Sequence, residues 1–474
     1  MAGARTVENT LYSCTVKTIR IGLLGVGTVG DAVARALVER RDVLSRAAGA
    51  HLIVQRAAVR SLSKPRAVSP ERLVTDPSAV VDADDVDVIV ELLGGEEPSR
   101  SLIARGLSRG RPVVTANKRV VAWHGPQLFA LAAANGAELR YEAAVGGGIP
   151  LIAPLTDDLA ANRIVELKAI INGTCNYILT QMALGASLGD ALTQAQALGY
   201  AEADPRDDVD AVDAADKLCI LVRLAFGVPC TSGEIFREGI RGLDQRDLAF
   251  GRELGYGLKL LAIARRTPEA GGARIEARVH PAFLPLEHPL ARVDGPQNAV
   301  HVVGDLCGPV MFSGQGAGGD ATASAVLADL VQVARRLALG DPVQPLREPA
   351  ADARLLPMGE VPTRCYFRLA VDDVPGVFAQ VTKVLADHEI GLASVIQREP
   401  GRQGSAEVVL LTYAAPEAAL VRAEQELARL PCMRAVRARI RVEAPGEHSS
   451  RAAQHASQHA SSATQHSSSA GGAR

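Results

Sequence analysis

The stretch TIRIGLLGVGTVGDAVARALVER, residues 18–40, sets the tightest limit on what this chain can fold into. The apolar run Thr18–Leu24 predicts a buried strand, and the run from Thr28 to about Arg40 predicts a helix. Between them Gly25, Gly27 and Gly30 fit G-x-G-x-x-G, in the strand-before, helix-after setting the motif requires. Glycines let a backbone approach a pyrophosphate, which the positive end of the helix attracts. Thr28 and Val29 offer backbone N–H groups at that point. The alternation then repeats. His51–Val59, Asp87–Leu93, Arg111–Thr115 and Leu139–Ala144 read as strands, with a helix near Pro98–Gly110. Strands alternating with helices predict an α/β chain built on a doubly wound parallel sheet of the Rossmann kind. With only 3% aromatic residues and abundant Ala, Val, Leu and Gly, the composition suits helices packed on such a sheet.

The end of the second strand bears on which dinucleotide is held. An NAD site usually places Asp or Glu there for the ribose 2′-hydroxyl. Here the chain reads VRSLSKPR, so Arg60, Lys64 and Arg66 offer cations and no acid follows. That favours NADP(H) over NAD(H); the alternative is a solvated basic loop.

Beyond Asn162 the pattern changes to α+β. Helices are expected at Asn176–Met182, Leu188–Leu198 and Val209–Phe226, and strands at Glu166–Ile171, Arg274–Val279 and Ala299–Val303. Ala325–Leu339 is amphipathic at helical spacing and is expected to pack back on the first domain. The domains expected are residues 17–150, completed by about 315–340, for the dinucleotide; 151–325 for substrate and dimerisation; a linker over 341–362; and a module over 363–443. That module reads strand, turn, helix, strand, strand, helix, strand. The tail from 446 to 474 is poor in apolar residues and is expected to stay disordered. Its histidines leave metal capture open beside a solvated role.

One segment stands out for charge. GYAEADPRDDVDAVDAADKL, Gly199–Leu218, holds seven carboxylates and one lysine, Lys217. Asp213 and Lys217 are four apart on a predicted helix and share a face, with Asp210 about one turn earlier. A surface ion pair is one reading. The other is a pocket for an amino acid, in which acids take the ammonium and the lysine protonates a carbonyl receiving hydride.

The order G-Y-x-E-x-D-P-R-D-D then D-x-x-x-K resembles the signature of the homoserine dehydrogenase family. So do VTANK at Val114–Lys118, YEAAVGGGIP at Tyr141–Pro150, INGTCNYIL at Ile171–Leu179 and GQGAGGDATASAV at Gly314–Val326, in register over about residues 18–340. The resemblance implies reversible reduction of L-aspartate 4-semialdehyde to L-homoserine. It implies Lys217 as proton donor, Lys118 orienting substrate and touching the nicotinamide end, and Glu202, Asp213, Asp208, Tyr200 and Thr174 lining the substrate pocket. Gly199, Gly316 and Thr115 would contact the cofactor. A monovalent cation, usually sodium, would take the Glu142 carboxylate and the carbonyls of Val145, Gly147 and Ile149; a plain turn is the alternative for that loop. Gln315 and Ala203 stand where the family often has proline, which touches loop rigidity and no reactive group. With no kinase-like extension ahead of the first motif, the likeness is to the monofunctional form.

Residues Arg364–Val442 resemble an ACT domain, a βαββαβ fold, with the ligand turn at Asp372–Val377 (DDVPGV). The resemblance implies L-threonine as a feedback effector; simple dimerisation is the alternative. A non-catalytic amino-acid sensor, or a dehydrogenase for another amino-acid substrate, would use the same scaffold. Lys118 and Lys217 tell against the sensor, which needs no proton donor.

The remaining totals exclude more than they assign. A formal net charge of −2 gives no field for nucleic acid or anionic lipid. Seven scattered cysteines with no C-x-x-C suggest reduced thiols in the cytoplasm rather than disulfides or zinc. No apolar run approaches the roughly 20 residues that span a bilayer, and the N-terminus lacks a signal-peptide core. A homo-oligomer, dimer or tetramer, is expected.

Overall fold

The computed structural model describes residues 16–269, 272–343, 353–397 and 404–443. The expected disordered tail lies outside them. The chain divides into two compact units.

The first unit takes most of the first 143 residues and the segment beginning at Thr322. Its strands are β1 (Thr18–Leu24), β2 (His51–Ala58), β3 (Leu73–Val74), β4 (Val88–Glu91), β5 (Val113–Thr115) and β6 (Leu139–Arg140). They run parallel in the order β3-β2-β1-β4-β5-β6, so the direction of winding reverses beside β1. That reversal is where an open α/β sheet receives its ligand. Strand β1 is buried almost throughout, as a central parallel strand must be. The helix Gly319–Leu339 returns to this unit: Ala323, Val326, Leu330, Val333 and Ala334 join Ile19, Ile21 and Val33 in one core. The helix Lys118–Ala134 was not foreseen, because Pro126 interrupts its pattern.

The second unit is built on a twelve-stranded sheet. Its path runs Gly308–Gln315, Gln297–Gly304, Ile164–Ile170, Tyr256–Glu269, Gly272–Pro285, Met433–Val442, Pro362–Asp372, Ser405–Thr412 and Leu392–Gln397. The last four strands and the helices Val377–Asp387 and Glu417–Leu427 make the βαββαβ module, with its own core around Phe367, Leu369, Val381, Leu410 and Leu420. The module is not a separate bead. Met433–Val442 pairs in parallel with Gly272–Pro285, Ala282 facing Arg441 and Phe283 facing Val442. Part of the expected linker is likewise a strand: Ala353–Leu355 pairs with Ala273–Ile275, and Leu356 N donates to Ile275 O at 2.9 Å.

The single helix expected over Val209–Phe226 is broken. Arg206–Val209 forms one short helix and Val212–Phe226 another, with Ala211 between them at φ 60°. Asp210 caps the first piece and pairs with Arg241, so it does not extend the Asp213–Lys217 face. Among the described residues no helix is long and apolar enough to cross a membrane.

Candidate active site

The glycine turn of the first unit divides its work as a dinucleotide cradle requires. A Cβ on Gly30 would lie 2.0 Å from Gly25 O, and one on Gly25 would lie 2.7 Å from Leu92 O; Gly25 itself has φ 93°. Those two glycines allow the turn and the close helix packing. At Gly27 nothing lies within 4 Å, so the backbone there faces open space beside the helix N-terminus formed by Thr28 and Val29. The residues present therefore fit a pyrophosphate.

The basic loop after β2 is fastened to this turn. Arg66 Nε donates to Val26 O at 3.3 Å and its Nη1 to Lys64 O at 2.8 Å, while Ala67 N donates to Asp31 Oδ1 at 2.8 Å. Arg60 and Lys64 are exposed. Across the sheet, the buried Glu91 carboxylate gathers Thr115 Oγ1 at 2.6 Å, Ser99 Oγ at 2.9 Å and Leu93 N at 2.8 Å. Thr115 Oγ1 in turn accepts from Asn117 N at 3.0 Å. Asn117 caps the helix that starts at Lys118 and donates to Gly95 O at 2.6 Å. Lys118 is thus half-buried at a fixed helix start. Glu142 is tied to the returning helix of this unit, its N–H donating to the buried Asp329 carboxylate at 2.8 Å; burial pushes that carboxyl up to about 7.

In the second unit the substrate candidates converge on two helix starts. Lys217 Nζ donates to Ile171 O and to Asp213 Oδ2, each at 2.8 Å. Asn172 Nδ2 donates to Asp213 Oδ2 at 2.9 Å and to Asp208 Oδ1 at 2.7 Å. Asn172 Oδ1 accepts from Cys175 N at 2.8 Å and so caps the helix Gly173–Ala183. Thr174 Oγ1 donates to Tyr200 O at 2.5 Å, and the Tyr200 ring rests on Tyr177, centroids 5.1 Å apart. Burial, then the charges of Asp208 and Asp213, push the Cys175 thiol well up, so it stays protonated and unreactive.

Thr174, Tyr200, Asp208, Asp213 and Lys217 are therefore brought together. Glu202 is not joined to them by a side-chain hydrogen bond among the described residues; it sits on the exposed turn after Gly199, whose φ is 76°. Val145–Ile149 is a tight turn, with Gly146 and Gly147 at φ 80° and 58° and Ile149 N donating to Gly146 O at 3.0 Å. Gly147 lies against Gly316, and Gly148 N donates to Gln315 O at 3.1 Å. Asn172 was missed from the sequence, although Asn one residue before the glycine that opens a helical run is an N-cap signal.

Comparison with known proteins identifies the family. The family model described as homoserine dehydrogenase matches residues 150–331, the homoserine dehydrogenase NAD binding domain residues 25–142, and the ACT domain residues 366–432. The homoserine dehydrogenase of Mycobacterium tuberculosis is 41% identical over 436 residues, 91% of this chain and 99% of that one. That of Synechocystis is also 41% identical, over 90% of this chain and 99% of its own. The crystal structure of a homoserine dehydrogenase from Thiobacillus denitrificans superposes with a TM-score of 0.85 at 43% identity, covering 91% of this chain and 99% of that one. A hyperthermophilic archaeal homoserine dehydrogenase in complex with NADPH superposes at a TM-score of 0.57 and 28% identity, over 67% of this chain and 97% of its own. With a Rossmann sheet, a mixed-sheet domain and an ACT domain in that order, this chain belongs to the homoserine dehydrogenase family of NAD(P)-dependent oxidoreductases acting on a CH–OH group.

Proposed function

We propose that the chain interconverts L-aspartate 4-semialdehyde and L-homoserine with NADP(H), and that Lys217 carries the proton. The observation that supports this most is the state of its ammonium. Lys217 is 12% exposed and two of its donors are engaged, by Ile171 O and Asp213. An ammonium has three N–H bonds, so one is left for a substrate oxygen. When bound, the dihydronicotinamide supplies hydride to the aldehyde carbon. Lys217 then protonates the developing alkoxide and, in the oxidation of homoserine, receives that proton back. Asp213 holds Lys217 in place and, with Asp208 and Glu202, takes the substrate ammonium and hydroxyl. Thr174 and Tyr200 close the pocket.

Lys118 orients the substrate, and Thr115, Gly199 and Gly316 join the glycine turn as cofactor contacts. NADP(H) over NAD(H) is supported by Arg60, Lys64 and Arg66, with no acid at the end of β2; the NADPH in the archaeal relative points the same way. A sodium-like cation would use Glu142 with the carbonyls of Val145, Gly147 and Ile149, a hard ion suited to oxygen ligands. We assign 17–150 with about 315–340 to the dinucleotide, 151–325 to substrate and 363–443 to the ACT domain, in a cytoplasmic enzyme. L-threonine at Asp372–Val377 is the proposed effector. Exposed Val374, Phe378, Val395 and Tyr413 on that module fit a homo-oligomer, dimer or tetramer.

The test is Lys217→Ala, assayed as homoserine-dependent reduction of NADP and NAD, with and without threonine. Turnover should fall by about 10²–10⁴, while NADPH binding, followed by fluorescence, holds. Turnover within threefold of the parent, a margin of about 0.6 kcal/mol in barrier, refutes the assignment.

A further inference from the structure

Asn298 opens the strand Gln297–Gly304 and is 1% exposed, yet its Oδ1 has no hydrogen-bond partner. Such an enclosed, unpaired carbonyl works against stability and calls for a reason. Its neighbours supply one. A Cβ on Gly316 would lie 1.9 Å from Asn298 Nδ2 and 2.1 Å from its Cγ. The Gly316 α-carbon therefore rests directly on the carboxamide. From another direction a Cβ on Gly147 would lie 2.3 Å from Gly316 O. The loop at Gly316 is confined by both neighbours, and no side chain fits at 316 or 147.

The same segment also touches the substrate helix. A Cβ on Gly173 would meet Pro296 O at 2.6 Å and Asn298 Oδ1 at 3.4 Å. Gly173 stands between Asn172, which holds Asp208 and Asp213, and Thr174. Residues 296–298 thus bear on the Gly316 loop and on the start of the helix that lines the substrate pocket. They are themselves pinned from behind. Asn176 Nδ2 donates to Val293 O, Gly295 O and Gln297 O at 3.0, 3.0 and 3.1 Å. The buried Lys259 ammonium donates to Val293 O at 2.7 Å and Asp294 Oδ1 at 2.9 Å.

We infer that Asn298 is a positioning residue for the dinucleotide: its flat carboxamide sets the height of the Gly316 loop and ties that height to the substrate helix. A planar group can lie against an α-carbon where a tetrahedral side chain of similar size cannot, which accounts for keeping an amide in a dry place. The inference rests on Gly316 being a dinucleotide contact, and the experiment separates the two.

Gly316→Ala, Asn298→Ala and the double variant are compared by KM for the dinucleotide, KM for homoserine, kcat and thermal midpoint. Gly316→Ala displaces the loop by the clash and should raise the dinucleotide KM about tenfold or more, since a shift near 1 Å costs up to about 10²-fold. Asn298→Ala removes the floor and should raise the same KM about fivefold with kcat within threefold, the signature of lost ground-state binding. In the double variant the new methyl enters the vacated space, so the dinucleotide KM should fall below that of Gly316→Ala alone. Should Asn298→Ala fold poorly, Asn298→Ser serves in the same comparison. If Gly316→Ala folds and leaves the dinucleotide KM unchanged, the assignment of Gly316 is wrong. If it raises KM but truncating residue 298 neither changes KM alone nor relieves the double variant, the role of Asn298 is refuted.

Discussion

Asn172 braces the proposed substrate pocket with three side-chain hydrogen bonds. Its Oδ1 caps a helix and its Nδ2 bridges two carboxylates, at 2.8, 2.9 and 2.7 Å. Asn172→Ala removes all three bonds. Loss of the cap costs about 1 kcal/mol. The bond to Asp213, which is 6% exposed, is charge-assisted and costs about 2 kcal/mol. Asp208 is half-buried and water replaces much of its donor, so about 0.5 kcal/mol is a fair share there. The sum is about 3–4 kcal/mol, or a thermal midpoint lower by about 5–10 °C in a unit of this size.

The activity consequence is separable. Without the amide, Asp213 keeps Lys217 as a partner but loses the donor that fixes its angle, so kcat/KM for homoserine should drop about 10²-fold. Asn172→Ser keeps a capping oxygen and cannot bridge the acids. It should recover only the share of the cap, about 1 kcal/mol or a third of the loss in thermal midpoint, while the activity loss persists. Calorimetry and steady-state rates on the three proteins decide the matter. A fully active Asn172→Ser would show that the bridge to Asp208 and Asp213 is irrelevant to catalysis.

Two further outcomes concern the sheet. His288 Nδ1 accepts from Leu290 N at 3.1 Å, and burial, then the Lys168 and His301 charges, press the imidazole down to about 4. Its folded pKa lies below its unfolded one, so the unfolded chain binds the extra proton between about pH 4 and 6.5. Stability is complete above that window and lost as pH falls through it, by about 1–2 kcal/mol after discounting partial exposure; urea midpoints at pH 7 and 4.5 should converge in His288→Asn relative to the parent. Glu443 is buried with Arg278 at 2.8 Å, Arg265 at 3.2 Å and Lys168 at 3.5 Å. Burial works to raise its pKa, yet those cations hold it well below the carboxylate range. Glu443→Ala leaves Arg278 with Glu276 at 3.7 Å as its carboxylate among the described residues, while Arg265 and Lys168 keep Glu166 at 2.8 and 3.0 Å; it should cost about 3 kcal/mol by denaturant unfolding, and a loss under about 1 kcal/mol would contradict the need of buried Arg278 for this partner.

The dinucleotide half was legible because each of its signals is local. A buried strand, a glycine turn and an amphipathic helix follow one another within 23 residues, 18–40. Even the helix Gly319–Leu339 declared its apolar face by spacing alone. The second unit hid what depends on distant partners. The hairpin Tyr256–Glu269 and Gly272–Pro285 buries Lys259, Glu276 and Arg278 and half-buries Arg265, which breaks the alternation expected of a strand. These charges are tolerable only because Glu166, Asp294 and Glu443 meet them from other strands and loops. The break at Ala211 was invisible for a similar reason. Alanine favours helix, but Ile240 N takes Val209 O at 2.9 Å and Gly239 packs against that same carbonyl. The acids of the candidate site were readable from their density and the cap of Asn172 from its place before a helical run, whereas its bridge to Asp208 and Asp213 and the packing of Asn298 under Gly316 are contacts that no spacing reveals.

The seam between the ACT module and the rest of its unit decides how any effector signal must travel. A module meant to swing would hang on a polar linker over a wet interface. Here Arg441, 2% exposed, donates to Glu417 on the module's second helix and to Glu238 outside it. Arg368 takes Asp247 at 2.6 and 3.0 Å, and Tyr366 donates to the same carboxylate at 3.0 Å. Strand pairing at Ala282 and Phe283 continues the sheet across the boundary. Rotation about this seam would break buried charge pairs together, each severance leaving an unpaired ion in a dry place. Coupling is a difference in ligand free energy between two states, commonly about 1–3 kcal/mol, too small to open such a layer. An effector bound to the module would therefore act by small shifts passed through the Gln245–Glu253 helix or the shared sheet. That helix lies against the Gly173–Ala183 helix, and Leu248 lines one cavity with Leu179 and Met182, so one mechanical route from the module ends at the helix that Asn172 caps.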